Sequence, residues 1–272
     1  MKNVIKIFFF LCCFCIGCEK GGESVFFENR VFFPAHGKFE IQPLLGESIV
    51  ELTIYRSGYN TAKSTTVEVS ADERLLDTYP DKQVLALPKS MYSIAQTNFT
   101  FEKDEVEKKV IIHLKKIDES VVGKNYILPI QVSADEQELV VEERSIVYLN
   151  INSYRNQYQG KYKVLGKTHL KYNEDEPENI DFTGLATTIS PGAFQIPSHI
   201  NGVNLWVEIN GDVVKVKEAN NRNTLRLNDL GSSKEGAFNV KYQRFLGIFN
   251  LSFSYEMGGR THEAHMQLKF DL

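Results

Sequence analysis

The chain has 272 residues, of which 42% are hydrophobic and 11% aromatic, and its formal net charge is −4 with 31 basic and 35 acidic residues. This apolar content can support a packed core and excludes a mainly disordered chain. The basic residues form no tail or stripe. The composition therefore disfavours nucleic-acid binding, which begins with clustered lysine and arginine.

The first eighteen residues hold all four cysteines of the chain. Lys2 and Lys6 come before an apolar run from Ile7 to Ile16. Such a run is too short to cross a bilayer as a helix, but it matches the apolar segment of a secretory signal. The start of the chain therefore indicates export.

One of the four cysteines fits the position that follows signal cleavage. Cys18 comes after Gly17, the small residue that cleavage requires, whereas the other cysteines come after larger residues. We predict a bacterial lipoprotein signal over residues 1–17, lipidation of Cys18 and a polar tether over residues 18–24. An ordinary signal peptide is the alternative.

Removal of the signal changes the charge and the cysteine content. The mature chain keeps 29 basic and 35 acidic residues, a formal charge of −6, and no cysteine beyond Cys18. It therefore has neither a disulfide nor a thiolate metal site, and burial and backbone pairing must stabilise it.

Strand-like runs rich in β-branched and aromatic residues dominate the first half of the mature chain. They are Ile49 to Tyr55, Thr65 to Ser70, Val110 to Lys115, Tyr126 to Val132 and Ile146 to Ile151. Their spacing of about ten to fifteen residues is typical of a sandwich. We predict an all-β protein whose N-terminal domain, residues 25–152, is an immunoglobulin-like antiparallel β-sandwich.

A polar segment, residues 153–157, reads as a linker to a C-terminal β-domain over residues 158–272. The strands predicted there are Tyr162 to Leu165, Asn204 to Ile209, Val213 to Val216, Thr224 to Leu227 and Phe249 to Tyr255. The acidic stretch from Asn173 to Ser198 bears proline and glycine and predicts a long loop. A closing meander favours an antiparallel barrel or sandwich.

Several short motifs resemble a known family. They follow the lipoprotein-like start and are Val31-Phe32-Phe33-Pro34, Leu87-Pro88-Lys89-Ser90-Met91-Tyr92-Ser93-Ile94, Tyr126-Ile127-Leu128-Pro129-Ile130 and Leu251-Ser252-Phe253-Ser254-Tyr255. The chain is similar to the two-domain outer-membrane lipoproteins of Bacteroidetes whose N-terminal sandwich is a domain of unknown function. The resemblance implies a polysaccharide-binding surface protein without catalysis, encoded with a polysaccharide-utilisation system and close in role to SusE and SusF.

The residues themselves offer one candidate sugar site at Trp206, the single tryptophan. Alternation along the strand places Asn204, Trp206, Glu208 and Asn210 on one face, opposite an apolar face. An exposed indole between amides and a carboxylate suits a sugar ring. The alternative is that Trp206 serves packing.

Other aromatic residues are weaker candidates. Tyr59 and Tyr172 stand in turn-like contexts beside asparagine. Tyr154 and Tyr158 flank the predicted linker, and we expect them to pack between the domains. The alternating aromatics of the last strands, Phe249, Phe253 and Tyr255, are expected to face the core.

No residue set predicts catalysis, a metal or a cofactor. His262 and His265 are three apart in a predicted strand and face opposite sides, unlike the i, i+4 histidines of a metalloprotease helix. The acidic pairs at Asp72, Asp135 and Glu142 are adjacent in the chain and do not span a cleft as glycosidase carboxylates do. We interpret these histidines and carboxylates as solvated surface side chains.

Two function classes remain open. The first is a non-catalytic lipoprotein that binds polysaccharide or oligosaccharide at the cell surface, held in the outer membrane by its lipid anchor near a glycan transporter complex. The second is a fimbrillin-like structural or adhesive subunit that donates a strand to a neighbour. Arg30 would be the processing site of such a subunit.

Overall fold

The computed structural model describes residues 29–58, 63–134, 139–200, 202–219 and 225–270. The predictions at Cys18, Tyr59, Asp135 and Thr224 lie outside these ranges. Within them, no helix is long and apolar enough to cross a membrane. Strands make up most of the described chain and the only helical elements are short 3-10 turns, which confirms the all-β prediction.

Within the described residues, the N-terminal domain has ten strands joined by loops and short 3-10 turns. The strands are β1 (Arg30–Phe32), β2 (Gly37–Ile41), β3 (Gly46–Ser57), β4 (Thr65–Ala71), β5 (Leu85–Ala86), β6 (Tyr92–Ile94), β7 (Asn98–Phe101), β8 (Glu107–Ile117), β9 (Tyr126–Ser133) and β10 (Ile146–Ile151). The turns are Glu73–Thr78, Lys89–Met91, Glu119–Val121 and Glu142–Arg144.

These strands form two sheets that pack as a sandwich. One sheet has the order β1-β3-β8-β6, and the other has the order β2-β10-β9-β4-β7 with β5 also paired to β9. The sandwich is not purely antiparallel, because β2 runs parallel to β10 and β5 runs parallel to β9. The alternating residues of the inner faces meet in one apolar core.

The C-terminal domain is a single nine-stranded sheet. Its strands are β11 (Gly160–Leu170), β12 (Asn173–Ser190), β13 (Ala193–Ile200), β14 (Val203–Asn210), β15 (Val213–Glu218), β16 (Asn228–Asp229), β17 (Ser233–Asn239), β18 (Arg244–Met257) and β19 (Arg260–Phe270). The order is β15-β14-β13-β12-β11-β19-β18, and both β16 and β17 pair with β18.

This sheet curls into a nearly closed barrel. Across the gap between its edges, Lys234 Nζ on β17 lies 3.3 Å from Asp212 Oδ1 in the β14–β15 turn. The interior is filled by side chains and centres on aromatic rings, with Phe249 5.1 Å from both Phe194 and Phe245 between ring centroids. Phe249, Phe253 and Tyr255 are all buried there, as their alternation predicts.

Two predictions in this domain are wrong. The stretch from Asn173 to Ser198 is not a loop, because β12 and β13 occupy nearly all of it. Ile180, Gly184 and Ala186 are buried and Phe182 is half-buried, whereas Asp181, Thr183 and Leu185 between them are exposed, so this stretch alternates as a barrel strand does. Leu225 to Leu227 is not in a strand either, although Leu225 is buried.

The two tyrosines that flank the predicted linker do not pack between the domains. Tyr154 belongs to the core of the sandwich, and Tyr158 belongs to the core of the barrel. Between them, Asn156 donates from Nδ2 to the carbonyls of Ser190 and Ala193 at 2.8 and 2.7 Å. The segment is therefore fixed by hydrogen bonds to the barrel.

The domains also meet through Gln243, in the turn before β18. Its Oε1 accepts from Ser48 Oγ and from the Ile49 amide, and its Nε2 donates to the Ile49 carbonyl, each at 3.1 Å. Arg155 donates from Nη1 to the Gln243 carbonyl at 2.7 Å. The glutamine thus pairs with the part of β3 that β1 does not reach, as a short strand would.

Replacing Gln243 with alanine should lower the free energy of unfolding by about 1 kcal/mol, since three partly exposed hydrogen bonds are lost. Urea denaturation followed by circular dichroism measures this. Gln267→Ala is the matched control, because Gln267 donates one exposed hydrogen bond to Asn250 within the barrel. Equal stability of the two variants would contradict a docking role for Gln243.

Candidate functional site

Strand β14 carries the predicted sugar-binding residues on the outer face of the barrel. Leu205 and Val207 are fully buried in the barrel core, whereas Trp206 and Glu208 on the opposite face are partly exposed. The strand therefore alternates between core and solvent. Ligand binding by these residues remains a prediction.

The indole of Trp206 is held in place by its neighbours on the sheet. Gln195 on β13 and Lys217 on β15 are its cross-strand partners. The indole Nε1–H donates to Gln195 Oε1 at 3.2 Å. This bond satisfies the only polar group of the ring and orients the ring on the sheet without burying it.

Glu208 is paired with a lysine beside the indole. Lys217 Nζ lies 2.7 Å from one carboxylate oxygen and 2.8 Å from the other. Both side chains are exposed to a substantial degree, so the pair contributes little to stability. Its carboxylate oxygens remain able to accept hydrogen bonds from hydroxyl groups.

A groove of about 730 Å³ lies along this face, and we call it the Trp206 groove. Its lining includes Trp206, Glu208 and Asn210 from β14, together with Ile189, Val213 and Lys215 from the neighbouring strands. Asn204 lies outside the lining, opposite Pro197 on β13. The structure therefore brings together three of the four predicted residues.

The β12–β13 turn approaches β14 closely enough to form one wall of the groove. The Gly192 carbonyl accepts from the Ile209 amide at 2.7 Å. A Cβ atom on Gly192 would lie only 2.7 Å from the Ile209 carbonyl oxygen. A glycine is required here for the two backbones to meet.

The groove combines apolar surface with polar groups, as sugar recognition needs. Ile189 and Val213 are 39% and 56% exposed and extend the apolar surface beside the indole. Asn210, Glu208 and Lys215 supply hydrogen-bonding groups at its margin. A sugar ring can stack on the indole while its hydroxyl groups reach these side chains.

Sequence reasoning missed a serine–histidine contact elsewhere on the barrel. Ser252 Oγ lies 2.7 Å from His265 Nδ1 on the outer face of β18 and β19. The His169 ring is stacked near the His265 ring, with centroids 6.1 Å apart and an angle of 23° between the ring planes. A serine nucleophile needs a base that a third group orients and a hydrogen-bond donor set for the oxyanion. This contact alone does not supply them.

The other histidine of the pair considered for metal binding lies on the inner face. His262 stacks on Tyr255 with ring centroids 5.1 Å apart, whereas His265 is exposed. The two side chains therefore do not converge on one ion. Among the residues that the structure describes, no group of three or more histidine, cysteine, aspartate or glutamate side chains could hold a metal.

Tyr172 is the most exposed of the other aromatic candidates that the structure describes. It lies at the tip of the β11–β12 hairpin and is 92% exposed. Lys171 Nζ lies 5.4 Å from the centre of its ring. Tyr172 is not part of the Trp206 groove.

A family model described as "-like, N-terminal domain" matches residues 27–139. No protein with a curated description matches the chain. Sixteen chains of solved structures do match. The family match therefore covers the sandwich from β1 to β9 but not β10, and the solved structures extend the comparison to the barrel.

Three solved structures illustrate this likeness. A Bacteroides ovatus protein of unknown function has a TM-score of 0.52 at 13% identity, over 89% of this chain and 94% of its own. A two-domain Bacteroides fragilis protein of unknown function has a TM-score of 0.42 at 11% identity, over 90% and 88%. A Bacteroides ovatus protein described as a candidate carbohydrate-binding protein has a TM-score of 0.39 at 11% identity, over 89% and 98%.

Only the first of the three TM-scores reaches the level at which a shared fold follows, and at 13% identity it shows the fold alone. The resemblance that the sequence motifs predict is confirmed at that level. Residues 27–139 therefore match the model of this N-terminal domain, and the chain shares the all-β fold of the first Bacteroides ovatus protein.

Proposed function

We propose that this chain is a non-catalytic surface lipoprotein that binds polysaccharide in the Trp206 groove as an accessory of a glycan-utilisation system. The observation that carries the proposal is the oriented, partly exposed indole on the solvent face of the barrel. A carboxylate and an amide lie beside it in the same groove. This combination suits a carbohydrate better than it suits an ion or nucleic acid.

The shape of the site favours a long glycan over a short one. Thr187, Gln195, Trp206 and Lys217 form one row across four neighbouring strands, and all four belong to the outer face. Side chains in a row across four strands can contact several sugar units in succession. This row therefore fits an internal segment of a polysaccharide.

A binding panel tests this function. We expect the purified mature protein to bind at least one polysaccharide in affinity electrophoresis, with saturation confirmed by calorimetry. Prolonged incubation should release no new reducing ends, because the proposed role has no hydrolytic step. Absence of binding across neutral, acidic and amino-sugar polysaccharides would count against the proposal.

Lipidation at Cys18 would place the protein in the outer membrane, at the cell surface and near a glycan transporter complex. We expect Cys18→Ser to prevent incorporation of labelled fatty acid and to release the protein from the membrane fraction. Cys15→Ser is the matched control and should remain lipidated. Unchanged labelling of the Cys18 variant would contradict the assignment.

The fimbrillin-like alternative requires the chain to be cut near Arg30. Arg30 is part of β1, where it pairs with Ser57 on β3. Val31, the next residue, is fully buried in the sandwich core. A protease would have to open this strand before it could cut, which favours an intact monomer. A shortened, assembled form isolated from cells would support the alternative instead.

A further inference from the structure

The barrel has a second opening, between β12 and β13. These two strands pair only near their shared turn, from Thr187 to Ser190 on β12. Further along, Glu178 to Ala186 of β12 pairs with β11, while Ile196 to Ile200 of β13 pairs with β14. The strands therefore diverge toward one end of the barrel and leave a split in the sheet.

A pocket of about 440 Å³ fills this split, and we call it the barrel-mouth pocket. Its size falls within the range of small-molecule sites, and barrel mouths are common places for them. Ile180, Ile200 and Tyr255 line it and belong to the barrel core, so the pocket reaches the interior. Glu178, Phe182 and His199 form its outer part.

The hydrogen bonds at the base of the pocket leave one lining hydroxyl, that of Tyr255, able to act only as an acceptor. Thr168 Oγ1 donates to the Glu263 carbonyl at 3.1 Å, which uses its only proton. Tyr255 Oη lies 2.8 Å from the same Oγ1 and must therefore donate to it. Tyr255 is 98% buried, and its hydroxyl oxygen keeps only acceptor capacity.

Glu178 adds a negative charge on the same side. It pairs with Thr168 across β11 and β12 and lies on the same face of β12 as the buried Ile180. The burial of Tyr255 raises the pKa of its hydroxyl, and the nearby Glu178 carboxylate raises it further. Among the residues that the structure describes, no cation forms an ion pair with Glu178, whereas Asp181 is paired with Lys163.

An aromatic platform borders these groups. The rings of Phe182 and His199 stack at 3.8 Å with an angle of 6° between their planes. His199 lies in a bulge of β13, has a φ of +59° and is exposed to solvent. The stacked pair presents a flat surface at the rim of the pocket.

We infer that the barrel-mouth pocket is a second binding site, specific for a sugar that carries a free amine. The ammonium group would pair with Glu178 and donate to Tyr255 Oη, while the sugar ring would pack against the Phe182–His199 platform. A neutral sugar offers no charge to Glu178. A bare cation would leave most of the pocket volume unused.

Ligand-observed NMR on the full mature chain tests this inference, with glucosamine, glucose and N-acetylglucosamine as probes. We expect glucosamine to bind at least about tenfold more tightly than the other two. Glu178→Gln should reduce glucosamine binding to the level of glucose, and Tyr255→Phe should weaken it by at least about threefold. Thermal unfolding of both variants checks that the barrel is intact.

Two further arms separate this site from the Trp206 groove and from a cation site. Trp206→Ala should leave glucosamine binding unchanged; its loss in that variant would show that the amine binds in the groove and would overturn the inference. Ethanolamine or Ca²⁺ competing as well as glucosamine would overturn the sugar assignment. Equal binding of the three sugars, or an unaffected Glu178→Gln variant, would overturn the site.

Discussion

Replacing Trp206 with alanine should weaken polysaccharide binding by at least about tenfold, which corresponds to about 1.4 kcal/mol. The indole provides the widest apolar face in the Trp206 groove, and aromatic residues of this kind carry most of the energy in many binding sites. The ring packs on the outer face of the sheet and makes one hydrogen bond, to Gln195. Its loss should therefore lower the free energy of unfolding by about 1 kcal/mol or less.

Two variants make this result specific. Trp206→Phe keeps an aromatic face and should retain much of the affinity, although it loses the hydrogen bond to Gln195. Tyr172→Ala removes an aromatic ring that is more exposed than Trp206 but lies outside the groove. Calorimetry with the same polysaccharide compares the three. Loss of binding in Tyr172→Ala, with Trp206→Ala unchanged, would move the site to the hairpin tip.

Replacing Phe249 with alanine should destabilise the barrel by about 3–5 kcal/mol. Phe249 is fully buried and its ring lies close to those of Tyr158, Tyr162, Phe194 and Phe245. Truncation removes the shared contact of this aromatic cluster and leaves a cavity that a curled sheet cannot close easily. Urea denaturation, followed by Trp206 fluorescence as a probe of the barrel, measures the loss.

Phe238 offers the matched control for this variant. It is on β17 in the same barrel, but its side chain is 42% exposed. Phe238→Ala should therefore cost about 1 kcal/mol or less. If the two phenylalanine variants were equally stable, the interior of the barrel could not be organised around Phe249.

The sequence correctly predicts which side chains face the core wherever one face of a strand is apolar throughout. In β14, Leu205 and Val207 alternate with polar residues, and this pattern correctly placed Trp206 on the solvent face. The same rule applied to β12 from Ile180 onward. It was hidden there because Glu174, Asp175, Glu176 and Glu178 come directly before Ile180 and give the stretch an acidic composition that resembles a loop.

The remaining features depend on contacts between residues that are distant in the chain. Gln243 meets Ile49 across the domain junction, and Ser252 meets His265 through the register of two strands. The part of the Trp206 groove that contains Ile189 comes from the end of β12, in the stretch that was predicted to be a loop. No local pattern in the sequence specifies a register, so the three-dimensional arrangement was needed to find these sites.

The comparisons with known proteins support the architecture, whereas the geometry of the Trp206 groove supports the binding proposal. The family match and the shared fold describe the architecture, and proteins of one fold carry many functions. The binding proposal therefore depends on Trp206, Glu208 and Asn210 in their groove. The amine-sugar site depends separately on Glu178 and Tyr255, so either proposal can fail without the other.

The single tryptophan makes one measurement decisive for the central claim, because its fluorescence reports directly on the groove. Titration of the mature protein with a polysaccharide that binds in affinity electrophoresis should give a saturable change in Trp206 emission and should protect the indole from quenching by acrylamide. The midpoint should agree with the affinity from calorimetry. Saturable binding in calorimetry with unchanged Trp206 emission and unchanged quenching would show that the glycan binds elsewhere.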